Sequence, residues 1–134
     1  MTSVDNFEKK IKKHCCKKED IKAVYLFGSR ADGTYRSDSD IDLSIMVNPE
    51  LDKVEAFDLK LDVAVELEEL LGIKVDVVVF SFADLRLKHQ ILRGQLLVGK
   101  KNIYRIEKEA EAVREYLDMK PRYEYYEKLM GKGF

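Results

Sequence analysis

Length, composition and charge exclude several classes of protein at the outset. The chain has 134 residues, 37% of them charged and 46% hydrophobic, with a formal net charge of -1. This balance creates no overall field that would attract nucleic acid or membrane, and no apolar run is long enough to cross a bilayer. A signal-peptide core is also absent, and the two adjacent cysteines, Cys15 and Cys16, suit neither a disulfide framework nor a zinc site. The sequence predicts one soluble, cytoplasmic domain over residues 1–134.

The N-terminal third of the chain reads as a helix followed by two strands. Apolar residues recur at helical spacing over residues 4–16, which predicts the helix. Apolar runs at 20–27 and 40–47 predict the strands, and the polar stretch 28–39 between them predicts a connecting loop.

The middle of the chain predicts an amphipathic helix followed by a strand. The helix is expected to end near Gly72, and the strand to cover residues 74–80. The residues expected to bury the helix are Val54, Phe57, Leu61, Val65 and either Leu67 or Leu70.

The last third predicts three more helices and a short strand. Ser81 is expected to cap a helix over 81–93, and a strand should follow at 95–98. A long helix is expected over 102–117, a break at Pro121 and a last short helix over 122–130. The expected buried stripe of the long helix is Ile106, Ala110, Val113 and Leu117. Alternating strands and helices indicate an α/β or α+β fold with helices packed on a sheet.

Most of the candidate functional residues lie in one stretch, FGSRADGTYRSDSDIDL. Gly28 and Ser29 stand at the exit of the first strand, and Asp40 and Asp42 at the entrance of the second. Gly28 lets the backbone approach a ligand closely, while Ser29 offers a hydroxyl and an N–H to a phosphate oxygen. The arrangement suits a phosphate chain and a divalent metal held side by side.

The two carboxylates favour a hard metal ion. Asp40 and Asp42 are two residues apart on a strand and therefore share a face. Like charges this close repel, and a divalent cation would relieve the repulsion. Oxygen ligands suit Mg²⁺, or Mn²⁺, rather than zinc. In the loop between, Arg30 and Arg36 are candidates for contacts to a triphosphate oxygen.

This stretch resembles the signature of the DNA polymerase β-type nucleotidyltransferases, in which a Gly-Ser dipeptide is followed by ten further residues and then by Asp-x-Asp. The short chain resembles their minimal members, the MntA-type antitoxins encoded beside HEPN ribonuclease toxins. The likeness is closest over residues 25–44 and extends to Asp76 and to the ending at 116–129. On composition alone, Asp76 would equally suit an edge strand facing water.

The resemblance implies a nucleotidyltransferase fold, a mixed sheet with a cleft at the strand ends and a C-terminal helical segment from about residue 102. It implies that Asp40, Asp42 and Asp76 are catalytic and hold two Mg²⁺ ions, and that Gly28, Ser29 and Arg30 bind ATP. It further implies that AMP passes to a tyrosine of a HEPN toxin, itself a dimer, in a hetero-oligomeric complex with the chain.

Two other functions stay open from the sequence. The nucleotide acceptor could instead be a small molecule such as an aminoglycoside, as in other members of the superfamily. The chain could also be an antitoxin that acts by binding alone, with catalysis lost. Direct binding of nucleic acid is not expected, because no aromatic residues interleave the basic ones.

Overall fold

The computed structural model describes residues 3–33, 39–99 and 103–130. The helices are α1 (Ser3–Cys15), α2 (Ser29–Asp32), α3 (Lys53–Leu71), α4 (Leu85–Leu92) and α5 (Ile103–Leu129), and the strands are β1 (Ile21–Phe27), β2 (Ile41–Val47), β3 (Val75–Val79) and β4 (Gln95–Gly99). The predicted mixture of strands and helices and all four predicted strands are confirmed. Arg36 lies outside the described residues.

The four strands form one mixed sheet in the order β3-β2-β1-β4. Strand β1 runs antiparallel to β2 and to β4, whereas β2 and β3 are parallel. Parallel neighbours require a crossover connection, which α3 supplies between β2 and β3. The parallel pair brings the start of β3 beside the start of β2, where the acidic residues lie.

The two faces of the sheet bury different sets of residues. Ile41, Leu43 and Ile45 of β2 join a core cluster with residues of α1 and α3. On the opposite face, Met46 and Tyr25 pack in a smaller cluster with residues of α4 and α5. This alternation is the ordinary property of a strand, whose successive side chains point to opposite faces of the sheet.

The predicted start of the helix after β3 is wrong. Instead of acting as an N-cap, Ser81 lies within a 3-10 turn, Phe80–Phe82. Asp84 caps α4, and its side chain accepts a hydrogen bond from the backbone N–H of Leu87. Both Ser and Asp are good N-cap residues, so the sequence offered two starting points and the turn after β3 selects the second.

The predicted break at Pro121 is also wrong, because α5 continues through it to Leu129. A proline inside a helix removes one N–H and leaves the carbonyl four residues earlier without its helical partner. Here Pro121 and Leu117 are both exposed, so water can bond that carbonyl.

The predicted buried stripes of α3 and α5 lie largely outside the core. On α3 the buried residues are Ala56, Val63 and Leu67, so Leu67 alone of the expected residues is buried. The expected residues that are exposed are Val54, Phe57, Leu61, Val65 and Leu70 on α3, and Ile106, Val113 and Leu117 on α5. No described helix combines the length and apolar character needed to span a bilayer.

Candidate active site

The site is organised around the turn that leaves β1. Gly28 has φ 76° and ψ -156°, a conformation that residues with a side chain rarely adopt. A Cβ at this position would lie 2.6 Å from Oδ2 of Asp42. The turn therefore requires glycine for its backbone conformation and also for the space that the Asp42 carboxylate occupies.

A short helix follows this glycine, within the stretch 28–39 that the sequence predicted as a loop. It is α2, Ser29–Asp32, and its first turn is closed by a hydrogen bond of 3.0 Å from the Ala31 N–H to the Gly28 carbonyl. Gly33 ends the helix in the left-handed conformation and donates to the Ser29 carbonyl. Ser29 is thereby fixed at the end of β1, immediately beside Gly28.

Two of the predicted carboxylates face each other across neighbouring strands. Asp42 of β2 is in register with Asp76 of β3, and residues in register on parallel strands project from the same face of the sheet. On the other side, Asp42 is paired with Phe27, the last residue of β1 before Gly28. Asp76 is exposed. The sheet therefore carries the glycine turn, Asp42 and Asp76 side by side.

The charges at this edge of the sheet act on one another. The pKa of Asp42 is raised above its ordinary value, first by burial and then by the negative charges of Asp76 and Asp40. Each of these effects disfavours a third negative charge at the site. A proton or a metal cation would compensate it, so the donor set fits a hard divalent ion.

The carboxylates are neighbours, but their side chains are not arranged to coordinate a metal ion. Over residues 3–33, 39–99 and 103–130, no cluster of three His, Cys, Asp or Glu side chains has the arrangement that a metal ion needs. The electrostatic influence of Asp40 and Asp76 on Asp42 shows that the three lie close together.

Arg30 lies beside the site in a supporting position. Its side chain is buried; Nη2 donates a hydrogen bond of 2.8 Å to the Ser39 carbonyl, and the guanidinium lies over the Phe7 ring. Ser39 immediately precedes Asp40, so this bond fixes the backbone that leads into the first carboxylate. A contact from Arg30 to nucleotide stays a prediction.

An open cavity of about 450 Å³ adjoins the glycine turn. Its lining consists of Gly28, Ser29, Ala31, Gln90, Arg93, Gly94 and Gln95. Gln95 is in register with Leu26 through the β1–β4 pairing, and its side chain donates to the Ala31 carbonyl. This pairing brings Arg93, at the end of α4, to the same cavity. The cavity has the residues to surround a phosphate chain, with one cation among them.

Sequence reasoning missed Arg93 and Gln95. They are more than sixty residues away from Gly28 along the chain, and only the pairing of β4 with β1 makes them neighbours. Gly94, between them, was a visible turn signal. It indicated a bend, but not which strand the bend would approach.

The fold and the site together define a class of enzyme. The family model described as polymerase beta, nucleotidyltransferase, matches residues 9–103. The chain belongs to the polymerase β-type nucleotidyltransferase family. No curated protein matches the chain.

Among solved structures, the chain is similar to minimal nucleotidyltransferases from toxin–antitoxin complexes. A toxin–antitoxin structure with AMP-PNP matches at 22% identity and a TM-score of 0.69, covering 95% of this chain and 98% of that one. The structure of the toxin–antitoxin MntA–HepT matches at 22% identity with a TM-score of 0.68, and the match covers 95% of this chain and 99% of that one. A complex of tri-AMPylated Shewanella oneidensis HEPN toxin with MNT antitoxin matches at 22% identity with a TM-score of 0.68, and the match covers 96% of this chain and 99% of that one. At this identity the likeness shows the fold.

Proposed function

We propose that this protein transfers AMP from ATP to a tyrosine hydroxyl of a HEPN ribonuclease toxin and thereby acts as its antitoxin. The observation that carries the proposal is the pairing of Asp42 with Asp76 beside the Gly28 turn. Support for the substrates comes from the relatives, one solved with AMP-PNP and another with an AMPylated HEPN toxin.

The nucleotide is proposed to lie between the glycine turn and the acidic residues. Gly28 and Ser29 would hold the β and γ phosphates, with the backbone approaching closely because Gly28 has no side chain. Arg93, on the wall of the same cavity, would supply a positive charge to the triphosphate. This orientation leaves the α phosphate towards Asp40 and Asp42.

The carboxylates would bind the metal that this chemistry requires. Asp40, Asp42 and Asp76 would hold one or two Mg²⁺ ions, which neutralise charge on the triphosphate and make an acceptor hydroxyl more acidic. Asp76 is exposed, and is therefore the carboxylate to which a protein acceptor has the easiest access. We assign to it the proton that the acceptor loses.

The transfer itself is an in-line displacement. The acceptor oxygen forms a bond to the α phosphorus as the bond to the β-phosphate oxygen breaks, and pyrophosphate leaves from the Gly28–Ser29 side. A tyrosine hydroxyl has an ordinary pKa of about 10, so it must be deprotonated as it reacts at neutral pH. Holding acceptor and ATP in this alignment supplies much of the rate.

The experiment is a transfer assay with the toxin and small molecules offered together. The chain is incubated with ATP labelled at the α phosphate, Mg²⁺, a HEPN toxin encoded beside it and an aminoglycoside mixture. We expect label on one or more toxin tyrosines, located by peptide mass spectrometry, and loss of ribonuclease activity in step with labelling.

Two outcomes would contradict the proposal. Label on the aminoglycosides with none on the toxin would identify a small-molecule transferase. Full neutralisation of the toxin by a D42N variant that transfers no label would identify an antitoxin that acts by binding alone. A toxin whose acceptor tyrosines are replaced by phenylalanine is the matched control and should stay both unlabelled and active.

A further inference from the structure

The outer side of α5 carries a regular row of apolar side chains. We call this row the α5 seam, and it consists of Ile103, Ile106, Ala110, Val113 and Leu117. The spacing is three, four, three and four residues, which is the spacing of a coiled-coil contact rather than of a helix buried on a sheet. Ile103 is 72% exposed and Leu117 is 59% exposed.

The opposite side of α5 already has its own contacts. Ala112 is buried, and the Tyr116 ring stacks on His89 of α4 with ring centroids 3.7 Å apart. Glu109 accepts a hydrogen bond of 2.5 Å from the Tyr25 hydroxyl and two of 3.0 Å from Arg105. The seam is therefore a second, separate face of the helix, pointing away from the protein body.

We propose that the α5 seam binds the same seam of a second copy of this chain, with the two helices antiparallel. If Ile106 of one copy faces Leu117 of the other, Ala110 faces Val113 of the other copy. The two-fold symmetry repeats both contacts, which gives four apolar layers without a polar residue in any of them. The seam ends where Lys120 takes the next position of the repeat. In this register Lys120 lies opposite Ile103 of the second copy, outside the four apolar layers, where its alkyl chain can cover Ile103 while the ammonium group stays in water.

Charge complementarity supports this arrangement. In the same register, Glu107 lies beside Arg114 of the second copy, and the symmetry makes two such pairs. Both residues are exposed, and within the described ranges neither forms an ion pair in its own chain. A parallel pair would instead require Glu109 opposite Arg114, but Glu109 is occupied by Tyr25 and Arg105.

The seam is short, so the association should be reversible. It covers residues 103–117, which is roughly 22 Å of helix, and contacts of this size are typical of weak interfaces. The proposal concerns residues of α5, none of which lines the cavity beside Gly28, and it does not depend on AMP transfer.

The test is sedimentation equilibrium of the full chain over a range of concentrations, with charge reversals at the seam. The wild-type protein should show a monomer–dimer equilibrium. Glu107→Arg and Arg114→Glu should each raise the dimer dissociation constant about tenfold, because each replaces two attractive pairs by two repulsive ones. The double variant, E107R with R114E, should return it to near the wild-type value.

Arg122→Glu is the matched control, because Arg122 lies on α5 but off the seam, and it should leave the constant unchanged. Circular dichroism melts establish that each variant folds. A monomeric wild type at every concentration would overturn the proposal, and so would single reversals without effect. Failure of the double variant to recover would overturn the antiparallel register. Weakened toxin binding by the reversals in a monomeric protein would assign the seam to the toxin instead.

Discussion

The acidic edge of the sheet and the outer face of α5 both arise from regular patterns in the sequence. The fold brings the residues of the first pattern together and leaves those of the second exposed. At the sheet edge, polar residues interrupt apolar strands, and the fold brings Asp42 and Asp76 together beside Gly28. On α5, apolar residues recur at helical spacing and the fold leaves them outside.

The period of an apolar pattern therefore indicates the type of secondary structure more reliably than it indicates which residues are buried. A strand fixes which side chains share a face, because the alternation is a local property of the backbone. A helix with two apolar stripes offers two faces, and tertiary packing decides which of them is buried. On α5 the buried position is a small residue, Ala112, which lets the helix approach the sheet closely.

The largest expected effect comes from removing one carboxylate at the sheet edge. Asp42→Asn should lower the rate of AMP transfer about a thousandfold, because metal-ion stabilisation of the transition state amounts to several kcal/mol. Initial rates with labelled ATP measure it. Asp62→Asn, an exposed aspartate on α3, is the control and should retain full activity.

The same variant should be more stable than the wild type at neutral pH. The pKa of Asp42 is raised in the folded state, so the folded chain binds its proton more tightly than the unfolded chain does. Stability from this group is present at low pH and is lost as the pH rises through the folded pKa. In thermal melts, the melting temperature of D42N should exceed that of the wild type by a margin that increases with pH. A margin that decreases with pH would contradict the electrostatic account of the site.

A pair of glycine substitutions separates backbone strain from the space needed at the site. Gly28 and Gly33 both have positive φ, but only at Gly28 would a Cβ meet the Asp42 carboxylate. Gly33→Ala should lose about 1–2 kcal/mol of stability, the cost of placing a side chain in the left-handed conformation. Gly28→Ala should lose about 1–3 kcal/mol, because its φ and ψ lie in a region that is essentially restricted to glycine. Only Gly28→Ala should also lose transfer activity, by about a hundredfold or more. Equal activity in two folded variants would show that the close approach to Asp42 is unimportant.

A smaller effect is expected at the cavity wall. Arg93→Gln should raise KM for ATP about 10- to 100-fold with little change in kcat, because a charged hydrogen bond contributes roughly 1.5–3 kcal/mol to binding. Steady-state kinetics with varied ATP provide the measurement. Arg86→Gln, whose side chain pairs with Glu127 instead, should behave like the wild type. A lower kcat with an unchanged KM would show that Arg93 does not contribute to ATP binding in the ground state.

The smallest expected effect is at the bond that ties α5 to the sheet. Tyr25→Phe removes the hydroxyl that donates to Glu109, and should cost about 1–2 kcal/mol because Glu109 is left with fewer partners. Denaturant titration measures the change, and Tyr126→Phe, an exposed tyrosine, should change nothing. Unaltered stability in Tyr25→Phe would mean that water replaces the hydroxyl.

Much of the site could be predicted from sequence because its parts are local. The glycine at the exit of β1 and a shared face for Asp40 and Asp42 were predicted from strand geometry, but β2 begins at Ile41, so Asp40 immediately precedes the strand. Asp76 was predicted from the family resemblance, and its place beside Asp42 depends on the pairing of β2 with β3. Arg93 could not be predicted, since its approach to Gly28 depends on the pairing of β4 with β1. The N-cap of α4 and the passage of α5 through Pro121 depend on neighbouring structure in the same way.

The most direct test of the central claim is calorimetric titration of ATP into the wild type and into D42N, each with Mg²⁺ and with EDTA. The account predicts binding heat only for the wild type with Mg²⁺, because Asp42 and its acidic neighbours would hold the ion that accompanies the nucleotide. Equal binding in EDTA, or equal binding by D42N, would contradict it.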